Sequence, residues 1–77
     1  PYTLQKKGLV TAITEITELL AEGNELSIEF NNSFKDLAIT KEKEIHIFRL
    51  FQEVLNNTMK HANASEIKIH LYEEKNE

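Results

Sequence analysis

Glu53, Asn57 and Lys60 stand at offsets 0, +4 and +7 in the stretch QEVLNNTMKHA, with His61 and Ala62 directly after them. An α-helix turns once in about 3.6 residues, so those three positions fall close to one line along a helix. That line presents a carboxylate, a carboxamide and an ammonium together. A magnesium-bound phosphate calls for such a set: an acid or base, an oxygen ligand for a hard cation, and a positive charge. The plainer reading is a solvated helix face. Arg49 and Glu53 would then be an ordinary i, i+4 pair contributing about 0.3 kcal/mol. Asn56 and Asn57 weigh against that reading, because asparagine side chains compete with the backbone and disfavour helix interiors. A local rule broken inside an otherwise consistent element is where function is expected.

The element that must carry the line is legible from its apolar period. Ile45, Phe48, Phe51, Leu55, Met59 and Ala62 step by three and four, and Ile47, Leu50 and Val54 broaden the surface. The period predicts an amphipathic helix over 41–62. Thr40 is placed to cap it, and Glu42 and Glu44 suit the positive end of its dipole. Earlier in the chain Leu9, Ile13, Ile16 and Leu20 recur at helical spacing, with Val10 and Leu19 widening the stripe, and predict a first helix over 4–22. Gly23 and Asn24 make a good stop for it. Two stretches alternate apolar and polar residues as half-buried strands do: 25–31, with Leu26, Ile28 and Phe30, and 66–73, with Ile67, Ile69 and Leu71. Asn31, Asn32 and Ser33 read as a turn cluster. Phe34 to Ile39 has no clear period, and the charged end from Glu73 reads as frayed.

The order is helix, strand, helix, strand, which predicts an α/β chain with helices on one face of a partial sheet. Two strands alone make a poor sheet, so 1–77 reads as a single partial domain. Seventy-seven residues bury only about 60% of their extended surface, which makes stability marginal without association. The formal net charge of −4 argues against a direct nucleic-acid binder, which would show a basic face. No cysteine is present, so a thiolate metal site is excluded. No segment reaches the roughly 20 apolar residues of a membrane span, and no signal peptide opens the chain. His46 and His61 are too far apart on the helix to share a metal, and His70 falls on the polar face of a strand. Gly8 and Gly23 are isolated, so no phosphate-cradling loop is present.

The stretch FRLFQEVLNNTMKHANASEIKIHLY resembles the N-box helix and following strand of the ATP-binding domain of two-component sensor histidine kinases, in the GHKL ATPase superfamily. The family pattern falls on Glu53, Asn57, Lys60, His61 and Ala62. The Lys-His-Ala ending resembles the kinases rather than their gyrase-type or Hsp90-type relatives. Gln52 is similar to the subgroup that signals to helix-turn-helix response regulators. The resemblance implies an α+β sandwich of Bergerat type, present here only in part. It implies that Asn57 ligates Mg²⁺, that Lys60 meets an ATP phosphate, that His61 lies beside the nucleotide, and that Glu53 is the catalytic acid or base near the γ-phosphate. The implied partners are ATP, a phosphoacceptor domain of the same protein and a response regulator. The implied setting is cytoplasmic, whether or not the parent kinase is anchored in a membrane.

The family's later glycine-rich boxes, adenine-reading Asp, lid and closing strands have no counterpart in these residues. No phosphoacceptor histidine sits on the first helix. The expectation is therefore an inactive fragment of a kinase. The alternative is a non-catalytic interaction module that keeps the N-box shape and forms a homodimer through an exposed sheet edge.

Overall fold

Gly8 divides the first helical stretch. In the computed structural model, which describes residues 2–22, 26–33, 39–61, 63 and 65–73, the helix expected over 4–22 is two: α1 (Tyr2–Lys7) and α2 (Leu9–Ala21). Gly8 has φ 91° and ψ 175°, a region closed to residues with a Cβ. The chain turns there and starts a new helix. At its other end α2 closes with the Glu22 N–H donating to the Glu18 carbonyl at 3.1 Å. The expected stop at Gly23 and Asn24 lies outside the described residues.

β1 (Ser27–Asn32), α3 (Lys41–His61) and β2 (Glu66–Leu71) follow. Asn31 belongs to β1, as the expected strand 25–31 has it, and Asn32, expected in a turn, completes the strand. They continue a parallel ladder whose register runs from Ser27 opposite Glu66 to Asn32 opposite Leu71. The backbone N–H of Ser33 extends it with a bond to the Leu71 carbonyl at 2.9 Å. Residues 34–38 lie outside the described set, as do Ala62, Ala64 and the tail from Glu74. A parallel pair needs a crossover between its strands, and α3 supplies it. Thr40 caps that helix: its Oγ1 accepts from the Lys43 N–H at 3.1 Å.

The sheet has one covered face. Ile28, Phe30, Ile67, Ile69 and Leu71 are half-buried, whereas Glu29, Asn31, Glu66, Lys68 and His70 are exposed. The core is built mainly by the first two helices and α3. Leu4, Leu9, Ala12, Ile13 and Phe48 form one buried cluster, with Phe30, Ile39, Phe51 and Leu71 packed on its margin. Each large side chain buried this way contributes about 1.5–3 kcal/mol. Phe48 and Phe51 meet as tilted rings 6.1 Å apart, a favoured aromatic geometry.

The apolar stripe of α3 is wider than its cover. Phe48 and Leu55 are buried, but Ile45, Leu50, Val54 and Met59 are exposed, as is Leu19 on α2. α2 reaches one side of the stripe only. The Leu50 and Val54 side faces β2 across a groove of about 350 Å³, which also has Phe51, Thr58, Ile67 and Ile69 in its walls. The architecture is thus a small mixed α/β unit with a two-stranded parallel sheet.

Candidate functional site

The rotation of α3 is fixed by what it buries. Successive residues are about 100° apart around a helix, so Phe48 and Leu55 lie about 200–220° from Glu53, while Asn57 and Lys60 fall within about 40° of it. Burying the two apolar anchors therefore turns Glu53, Asn57 and Lys60 outward together. All three are exposed. They span about 10 Å along the axis at 1.5 Å per residue. His46, Arg49 and Asn56 are exposed as well and share that side of the helix.

Among the described residues, no ion pair joins Arg49 to Glu53, and none of the three stripe side chains is held by a hydrogen bond. The pair that a purely solvated face would form is not made. His61 ends α3, but its side chain lies outside the described residues, as does Ala62. The stripe therefore comes together as the sequence places it for Glu53, Asn57 and Lys60, and His61 joins them only by its place on the helix.

Among the described residues no cluster of three His, Cys, Asp or Glu side chains could hold a metal by itself. Asn57 offers one amide oxygen. That donor set does not suit a bare divalent cation. It does suit Mg²⁺ that brings phosphate oxygens and waters with it, since magnesium keeps most of its shell from such ligands. Lys60 is the matching point charge for the phosphate. The residues fit a magnesium nucleotide from one side, as a wall.

His70 lies elsewhere. Its Nε2 is 2.6 Å from Ser33 Oγ and its ring is 5.1 Å from that of Tyr72, on the exposed face of the sheet. The apolar groove is a separate feature too, although Leu50 on its rim stands only about 20° around the helix from Asn57. Glu44 and Lys41 make contacts to the first two helices that the sequence reading does not include. Glu44 is 7% exposed, and it accepts a hydrogen bond from the Leu9 N–H of α2 at 3.0 Å. A signal was present: Glu44 precedes Phe48 by four residues, so it occupies the apolar line, where a charge implies a buried partner.

Known proteins match nearly the whole chain. It is 37% identical over 69 residues to the sensor histidine kinase LiaS of Bacillus subtilis, covering 90% of this chain and 19% of that protein. It is 32% identical over 72 residues to the signal transduction histidine-protein kinase/phosphatase DegS of Brevibacillus brevis, with 94% and 19% covered. It is 31% identical over 67 residues to the nitrate/nitrite sensor protein NarQ of Escherichia coli, with 87% and 12% covered. The chain thus spans at most a fifth of the length of these relatives. No protein-family model and no solved structure matches it.

Proposed function

Because the chain is homologous to a segment of sensor histidine kinases, we propose that it forms one wall of the magnesium–ATP site in the GHKL-type catalytic domain of such a kinase. One observation carries the reading. Glu53, Asn57 and Lys60 lie exposed on one side of α3, with no partner among the described residues, inside a stretch that a 69-residue match to a kinase must include.

Each side chain then has a task suited to its chemistry. The Asn57 amide oxygen ligates Mg²⁺ without adding charge. The Lys60 ammonium holds a phosphate oxygen and offsets its negative charge. His61, next along the helix, lies beside the nucleotide. The Glu53 carboxylate accepts the proton of the attacking imidazole N–H or polarises it. Bound ATP supplies the phosphoryl group, and positioning with charge neutralisation accounts for most of the rate gain in such transfers. In the whole protein a histidine is phosphorylated and an aspartate of a response regulator takes the group from it. The chain alone, holding one wall, is inactive.

Titration of the full-length protein with ATP, with and without Mg²⁺, tests the assignment. Asn57→Ala is expected to lose the magnesium-dependent part of the affinity while its circular dichroism stays that of the parent. Unchanged magnesium dependence would overturn the role of Asn57.

A second reading has an observation of its own. Leu50 and Val54 are exposed beside an apolar groove, and among the described residues neither edge of the two-stranded sheet has a paired neighbour. A module that keeps this shape for association, as a homodimer through the sheet edge, would use them. Absence of any Mg·ATP binding by the full-length parent protein would favour it.

A further inference from the structure

The break at Gly8 leaves backbone groups that neither short helix can satisfy, and α3 satisfies them. At the end of α1 the Gln5 carbonyl is among the last-turn acceptors without an intrahelical donor. At the start of α2 the Leu9 N–H is among the first-turn donors without an acceptor. No side chain of Gly8 exists to cap α2, and none of its own residues does so. Lys41 Nζ donates to the Gln5 carbonyl at 3.2 Å, and Glu44 Oε2 accepts from the Leu9 N–H at 3.0 Å. The two side chains are themselves ion-paired at 3.4 Å. The cation sits at the negative end of one helix and the carboxylate at the positive end of the other, as the helix dipoles favour. Both come from the first turn of α3, which the Thr40 cap holds in place.

Little else fixes the direction of α1. Leu4 is its one buried side chain among those described. Glycine adopts positive and negative φ about equally well, so Gly8 imposes no angle of its own. Thr3 Oγ1 donates to Glu15 Oε2 at 2.9 Å and Lys7 lies 3.8 Å from the same carboxyl group. Those contacts are on the surface, where such pairs are weak; Lys41 is exposed too, and Glu44 is the buried member that distinguishes its set.

We propose that Lys41 and Glu44 form a clasp that sets the direction of α1 and ties it to α3. With the clasp closed, α1 and the helix bearing Glu53, Asn57 and Lys60 move as one body. With it open, α1 pivots at Gly8 while α2 and α3 stay packed through Leu9, Ile13 and Phe48. Coupling of this kind acts in both directions, so a displacement of α3 reaches α1 and the reverse. The inference stands apart from the nucleotide reading and survives its failure.

Paired spin labels in the full-length protein test it. Labels at Tyr2→Cys and Gln52→Cys report α1 against α3, and labels at Glu18→Cys and Gln52→Cys report α2 against α3. All three positions are exposed. Lys41→Met keeps the aliphatic stem and removes the cation. Glu44→Gln keeps an acceptor for Leu9 and removes the charge. Each is expected to broaden the first distance distribution and leave the second unchanged. The exchanged pair, Lys41→Glu with Glu44→Lys, keeps an ion pair but sets each charge at the wrong helix end, so it should be broad as well. Three results would overturn the clasp: a narrow first distribution in Lys41→Met, equal broadening of both label pairs, or full recovery in the exchanged pair. A lower melting temperature with an unchanged first distribution would mark a plain structural pair and count against it too.

Discussion

Asn57 is a residue that α3 would be more stable without. It is exposed in the interior of a 21-residue helix, and its side chain meets no partner among the described residues. Asparagine is less favourable than alanine there by about 0.5 kcal/mol. Asn57→Ala should therefore melt at the same or a slightly higher temperature while losing magnesium-dependent nucleotide affinity. Opposite movements in two measurements separate a ligand from a packing residue. If stability and affinity fell together, the asparagine would be holding the helix and the ligand role would go. The outward line of Glu53, Asn57 and Lys60 was readable in the sequence, since period and burial of Phe48 and Leu55 are enough to orient it. Glu44 lies in the first turn of α3 as expected, but its partner on α2 was not legible. Its position in the first turn suits the dipole of its own helix, and that local explanation concealed a tertiary one: it caps α2, 35 residues away in sequence.

At the scale of elements, the chain shows what an apolar period reports and what it omits. It reports that a segment has an apolar side. It omits which part of that side another element will cover. Phe48 and Val54 both belong to the expected stripe of α3, yet they are 2% and 64% exposed. Phe48→Ala should cost about 3–5 kcal/mol in unfolding free energy. Val54→Ala in the 77-residue chain should stay within about 0.5 kcal/mol of the parent, as surface changes do. Equal losses in chemical denaturation would show that the groove closes in solution. The break at Gly8 was hidden for a different reason. A lone glycine in a helical pattern is usually tolerated at a cost of about 1 kcal/mol, and only the five-residue step from Leu4 to Leu9 hinted at more. Gly8→Ala should cost about 1–3 kcal/mol from backbone strain. Crowding adds nothing, because the nearest atom to a new Cβ is Glu44 Oε2 at 3.6 Å. A neutral result would mean that α1 and α2 can join into one helix.

For the whole molecule the balance between core and exposed apolar surface decides behaviour. Among the described residues the buried apolar ones are Leu4, Leu9, Ala12, Ile13, Phe48 and Leu55, and a chain of 77 residues has little margin against chain entropy. Seven large apolar side chains are exposed among the described residues, Leu50 and Val54 beside the groove among them. Water is a poor neighbour for a contiguous apolar patch, and a second copy is the nearest alternative cover for the chain in isolation. Light scattering behind size exclusion should therefore give a mass for the isolated chain that rises with concentration. Replacing Leu50 and Val54 together by lysine should lower that mass to the monomer. The replacement should change the melting temperature of the dilute chain little, because both positions are solvated in the monomer. The strand edges, unpaired among the described residues, provide the competing route to association, through backbone pairing that side-chain charge on α3 would leave untouched. Association that persists in the double-lysine variant would assign it to the sheet edge, and a monomeric mass at every concentration would remove both routes.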